Sequence, residues 1–196
     1  MSSPSPKETH FADEWLAKLV ADRGAMANLR RGLGKPPGTV HQMDRNILPF
    51  LSGEPEKPYY LVAALFAGWH QGKDSVVTNP PDNLGKSLKA IVEKEVKEGR
   101  KREDVEDRLE KRLVALLNCH RDDLPQHLRQ VVGLLRSKEV AINWAQLLHD
   151  IRGWNWESRA VQRAWARGFW SVPEADIATQ TSISNENKNN EEGEEE

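Results

Sequence analysis

Tyr59-Tyr60-Leu61-Val62-Ala63-Ala64-Leu65-Phe66-Ala67-Gly68-Trp69-His70 contains no lysine, arginine or acid. It is apolar almost all round the helical wheel. A helix with no polar face has nothing to show to water, so this segment is read as a central buried helix. The rest of the chain must then supply partners that cover it. The flanking stretches have that character. Phe11, Trp15, Leu16, Leu19 and Val20 form one helical stripe, and Ala25, Met26, Leu29 and Leu33 form another. Leu84, Leu88, Ile91 and Val92 continue the spacing, followed by Val105, Leu109, Leu113, Leu116 and Leu117. Leu124, Leu128, Val131, Val132 and Leu135 predict a further helix, with Asp122 or Asp123 as its cap and Pro125 in its first turn. Trp144, Leu147, Leu148 and Ile151 predict a short helix, and Val161, Ala164, Trp165 and Phe169 the last.

Glycine and proline punctuate the chain at 34–38, 53–58, 72–81 and Gly153. Alternating β-branched runs are absent apart from the short Val76-Val77-Thr78. The pattern predicts an all-α, single-domain bundle of eight or nine helices over residues 9–172. A disordered N-terminus over 1–8 and a disordered acidic tail over 173–196 are expected on either side.

The net charge of −2 over 196 residues conceals a division. From Glu174 onward there are eight acids and one base, a tail of −7, whereas residues 1–173 carry 27 bases and 22 acids, a body of +5. Such a body attracts polyanions and such a tail competes with them. Three segments exclude acids altogether. Arg23–Met43 holds Arg23, Arg30, Arg31 and Lys35; Leu124–Lys138 holds Arg129, Arg136 and Lys138; Ser158–Pro173 holds Arg159, Arg163 and Arg167. On helices, Arg23 and Arg30 share an edge, as do Arg129 and Arg136, and the last three form an i, i+4, i+8 stripe. Like charges at that spacing repel by a few tenths of a kcal/mol per pair. A polyanion would remove that repulsion, and the planar arginine fork suits phosphate. The alternative is that each stripe pairs with acids on a neighbouring helix. Glu93–Arg112, with eight acids and eight bases, reads as a self-paired, solvated helical arm.

Catalytic patterns are missing. Gly32-Leu33-Gly34 lacks the lysine and hydroxyl residue of a phosphate loop, and the six histidines show no metal-ligand spacing. No metal, cofactor or catalytic residue is expected. His149-Asp150 is the one acid/base candidate, but adjacent helical residues point about 100° apart. Cys119, the single cysteine, is read as a partly buried hydrophobe, and one cysteine fits a reducing cytoplasm. No stretch has the ~20 apolar residues of a membrane span, and no signal peptide is expected from the Ser/Pro-rich start. Of the seven tryptophans, Trp144, Trp154, Trp165 and Trp170 are expected in or beside the core. Trp154 and Trp156 are also the candidates for base stacking or a protein contact.

With these residues in view, the chain resembles the CasB family, the small subunit of the type I-E CRISPR Cascade complex. The resemblance runs from about Phe11 to Trp170. It is carried by Asp22-Arg23-Gly24-Ala25 leading into Leu29-Arg30-Arg31-Gly32-Leu33-Gly34, by Tyr59–Ala67, by Asn83-Leu84-Gly85-Lys86-Ser87-Leu88, and by Arg112-Leu113-Val114-Ala115-Leu116-Leu117. Leu124-Pro125-Gln126-His127-Leu128-Arg129, Ile142-Asn143-Trp144-Ala145-Gln146-Leu147-Leu148 and Val161–Trp170 complete it. The charged arm and the acidic tail depart from the family pattern.

The resemblance implies a non-catalytic, all-helical subunit, present in two copies, that contacts CRISPR RNA, target DNA, the displaced strand and the backbone and large subunits of Cascade. Its implied role is to hold guide and target during R-loop formation in antiviral defence. Arg30, Arg31, Lys86, Arg112 and Arg129 match basic positions in the family motifs. Arg23, Lys35, Arg136, Arg163 and Arg167 are nucleic-acid candidates on the charge argument alone. A helical scaffold whose basic faces dock acidic protein surfaces is the alternative function.

Overall fold

The computed structural model describes residues 3–51, 57–71 and 79–171. All regular structure among them is helical: α1 (Pro6–Thr9), a π-helical stretch (His10–Leu16), α2 (Ala17–Leu19), α3 (Arg23–Arg30), a 3-10 turn (His41–Met43), α4 (Asp44–Ile47), α5 (Lys57–Trp69), α6 (Leu84–Lys97), α7 (Arg102–Asn118), α8 (Leu124–Ser137), α9 (Trp144–Arg152) and α10 (Ala160–Trp170). The first three elements run on as one rod, and the 3-10 turn continues into α4, so the described residues form nine rods.

α5 is the hub. Its residues Tyr59, Tyr60, Val62–Ala67 and Trp69 are buried, and α3, α8 and α9 pack around it. Each large side chain so buried contributes roughly 1.5–3 kcal/mol. Two of its aromatic polar atoms find partners on other elements: the Tyr60 hydroxyl donates to Asp44 Oδ1 at 2.9 Å and Trp69 Nε1 donates to the Val140 carbonyl at 3.2 Å. Burial, followed by the Asp44 carboxylate, pushes the Tyr60 phenol up to about 12.

α6 and α7 form an antiparallel hairpin that turns at Gly99, whose φ is +90°. α6 also packs on α10, at a crossing so close that a Cβ on Gly85 would overlap the Trp165 carbonyl. The charged arm is self-paired across this hairpin. Arg102 grips Glu93 with two 2.8 Å hydrogen bonds and reaches Glu106 at 3.2 Å, and Lys89 meets Glu106 at 3.3 Å. Inside the arm, Glu95 is buried between Arg108 and Lys138, each at 2.7 Å.

Two expectations change here. Ser5 and Glu8 form a capping box on α1, and Glu8 is buried against His149 at 3.1 Å and Arg152 at 2.8 Å on α9. Ordered structure therefore begins ahead of residue 9, because a carboxylate that finds two cations and a cap holds the start of the chain. Lys138, counted with an acid-free basic face, is turned inward by Glu95. The expected tail at 173–196 and the Val76-Val77-Thr78 stretch lie outside the described residues.

Candidate nucleic-acid interface

α3 stops at Arg30, with Arg31 in its C-cap position, and the chain then turns through Gly32-Leu33-Gly34-Lys35. Two close contacts fix this turn. Gly32 sits between Met43 and Ala64, and Leu33 lies on Gly68, where a Cβ would come within 2.9 Å of it. Gly34 has φ +73°, a conformation side chains disfavour. The missing side chain at Gly34 leaves room for the Arg129 guanidinium, which lies directly over it.

α8 arrives from the opposite side. Asp123 occupies its N-cap position without a side-chain capping bond, and Pro125 sits in its first turn. Arg129, one turn on, faces the Gly34 loop. Between this loop, α5 and the start of α8 lies a cleft of about 990 Å³. Its floor is apolar, formed by Leu33, Leu61, Ala64, Leu65 and Ile151, and its rim carries Lys35, Lys57, Arg121 and Arg129. Among the described residues Asp122 is its one acid, and Asp122 is itself met by His120 at 3.4 Å. Four cations facing one carboxylate focus positive potential in a recess with low-dielectric walls, where polyanions concentrate.

The ten sequence-predicted cations are placed as follows. Lys35 and Arg129, from two different acid-free segments, meet at this cleft. Arg30 and Arg31 immediately precede its lining at Gly32, Arg30 half-buried and Arg31 exposed. Arg23 is exposed in the first turn of α3. Arg136, two turns beyond Arg129 on α8, donates to Gln71 at 3.1 Å. Lys86 is exposed and ion-paired with Asp82. Arg112 is exposed on α7 and Arg167 on α10.

Arg163 lines a second, open groove of about 470 Å³ between α7 and α10, beside Trp170 and Val114. Arg159 shares that groove, but it is not the first member of a helical stripe. It precedes α10 in a left-handed conformation, φ +48°, and its guanidinium donates to the Leu117 carbonyl at 2.7 Å. It thus satisfies a carbonyl in the last turn of α7, where a cation also complements the helix dipole.

Lys57 and Arg121 were missed by the sequence criterion. Lys57 follows Glu54 and Glu56, and Arg121 precedes Asp122 and Asp123, so a search for acid-free segments discards both. Lys57 nevertheless opens the hub helix, and that position alone could have marked it.

The tryptophans also redistribute. Trp154 is buried, 5.2 Å from Trp165, and cannot stack on a base. Trp156 is 45 % exposed and lies over Gly153. Trp170, expected in or beside the core, is 46 % exposed, because it sits on the last turn of α10. His149 and Asp150 part as the helical wheel requires: His149 turns to Glu8, and Asp150 accepts from Trp165 Nε1 at 2.6 Å and Gln146 Nε2 at 2.8 Å. Burial pushes the Asp150 carboxyl up to about 6 despite those donors. Burial, aided by Asp123, also raises the Cys119 thiol. Among the described residues, no group of histidine, cysteine and acidic side chains could hold a metal ion, and no helix is long and apolar enough to cross a membrane.

The family model described as CRISPR-associated protein Cse2 matches residues 25–170. The CRISPR-associated protein Cse2 of Thermus thermophilus is 34 % identical over 180 residues, 86 % of this chain and 92 % of the relative. The crystal structure of M. ruber CasB is similar with a TM-score of 0.63 at 26 % identity, covering 91 % of this chain and 98 % of that one. A chain in a solved CRISPR RNA-guided surveillance complex is similar with a TM-score of 0.64 at 26 % identity, again over 91 % and 98 %.

Proposed function

The chain belongs to the CRISPR-associated Cse2 family, and from that premise we propose that it is the small subunit of an RNA-guided surveillance complex. In this reading it holds nucleic-acid backbones without catalysing a reaction. The observation that carries it is the cleft in which Lys35, Lys57, Arg121 and Arg129 converge from three parts of the chain. Exchanging a DNA duplex for a guide–target duplex is close to energy-neutral, so contacts to phosphates can tip it. Such contacts read no sequence and need only charge and position.

Arg30, Arg31 and Arg23 extend the basic surface along α3, and Arg136 extends it along α8. CRISPR RNA, target DNA and the displaced strand are the ligands this surface would take, in a complex holding two copies of the chain. The α7–α10 groove, with Arg163 beside exposed Trp170 and Val114, has the mixed apolar and cationic make-up of a protein contact, and we assign it to the neighbouring subunits. Lys86, Arg112 and Arg167 lie outside both clefts and are second in order of testing.

The test is titration of the chain with single- and double-stranded DNA across a salt series. Each phosphate contact removed by Lys35→Gln or Arg129→Gln should flatten the log–log salt slope by about 0.7 for single strands and 0.9 for duplex. No binding of either form at low salt would favour the scaffold reading, in which the basic faces dock acidic protein.

A further inference from the structure

The four rim cations of the cleft have no ion-paired carboxylate among the described residues and, unlike the other unpaired arginines, are gathered round one recess. On the α6–α7 hairpin, Arg102, Arg108, Lys89 and Lys86 are each matched to a carboxylate. In the α7–α10 groove, Arg159 is committed to the Leu117 carbonyl and Glu157 stands beside it. A recess with four cations and one acid is where a polyanion of the chain's own would settle.

The sequence supplies one. Glu191, Glu192, Glu194, Glu195 and Glu196 place five carboxylates in six residues. Residues 172–190, between the end of α10 and this run, span up to ~60 Å when extended. A body of this size is only about 40 Å across, so the run can reach faces well removed from the end of α10. We propose that Glu191–Glu196 folds back onto the Lys35/Lys57/Arg121/Arg129 cleft and occupies it in place of a phosphate strand. The chain then carries its own competitor, and nucleic acid must displace it.

Spacing and strength are consistent with displacement. Alternate carboxylates in an extended chain share a face about 7 Å apart, similar to the spacing of successive phosphates, so two or three can address the rim together. Exposed ion pairs are individually weak and screened by salt. The tethered run gains from an effective concentration on the order of millimolar. It therefore selects against short or weak ligands at low salt and yields to a long strand that engages further cations such as Arg30 and Arg31.

This inference rests on the nucleic-acid reading above, and the experiment separates the two. Full-length chain is treated with a carbodiimide, which joins carboxylates to amines only in direct contact, and the linked peptides are mapped. Expected are links from the 191–196 run to Lys35 and Lys57, lost at high salt, and few to the exposed Lys18, Lys101 and Lys111. Links spread evenly over exposed lysines, or absent, overturn the proposal. In parallel, the full chain with all five glutamates of the run changed to glutamine is titrated with a short oligodeoxythymidylate. Its affinity should exceed that of the unmodified chain by about three- to tenfold at low salt, converging at high salt. Equal affinities at low salt overturn the proposal even where cleft links form. If neither form binds DNA, the nucleic-acid reading fails, and the cross-link map alone then decides whether the run occupies the cleft.

Discussion

Glu95 is a carboxylate with almost no access to water, held by Arg108 and Lys138 and approached by Arg100 at 3.6 Å. Burial opposes its ionisation, yet hydrogen bonds from Lys138 and Arg108 outweigh it and keep the carboxyl below its usual range. A depressed folded pKa stabilises above the unfolded value near 4.5 and is lost as pH falls through the folded value. Glu95→Gln should cost about 3 kcal/mol at neutral pH, the low end for a broken buried pair because its cations reach solvent. The difference between wild type and variant in urea denaturation should be level above about pH 5 and shrink below about pH 4.5.

Glycines make a second contrast at this scale. Gly85→Ala drives a methyl into the Trp165 carbonyl and should destabilise by about 2 kcal/mol or more. Gly133→Ala, exposed on α8 with nothing within 4 Å, should stabilise by about 0.5–1 kcal/mol in the same assay. Gly34→Ala should weaken DNA binding as well as stability, since the new methyl displaces Arg129. The residue scale is where the sequence was hardest to read. Local charge says which stretch is basic, but not that Lys138 turns to Glu95, that Arg159 caps α7, or that Lys57 and Arg121 join Lys35 and Arg129 from distant parts of the chain.

Elements were far more legible, because burial has a period. The uncharged 59–70 run is the hub helix, and the predicted stripes coincide with buried faces on α3, α6, α7, α8, α9 and α10. The exception is the start of the chain. A short Ser/Pro-rich segment has no period to read, and what orders it is a single carboxylate that finds α9. Burial opposes ionisation of Glu8, but the Ser5 amide, Arg152 and His149 hold its pKa down. Glu8→Gln should therefore loosen the docking of α1 on α9, with faster amide exchange over residues 5–16 and earlier tryptic cleavage at Lys7 and Lys18. Unchanged exchange would mean that Phe11 and Leu16 hold the rod without the ion pairs. Asp150 behaves oppositely to Glu8 and Glu95: its raised pKa disfavours the folded state as pH climbs from about 4 to 6, then levels off.

At the scale of the whole molecule, the account depends on charge being gathered in space rather than merely present. A −2 chain holds nucleic acid only if a local excess of cations is exposed and unmatched. The cleft between the Gly34 loop, α5 and α8 meets that condition. Membership of the Cse2 family supplies the setting in which such a cleft has a task. The most direct measurement is R-loop formation by the assembled surveillance complex carrying the double charge reversal Lys35→Glu and Arg129→Glu, with subunit incorporation checked in the same sample. The account predicts that the complex assembles, and that the target concentration needed for half-maximal R-loop formation rises at least about tenfold at physiological salt. An intact variant complex that forms R-loops at the wild-type concentration would contradict it.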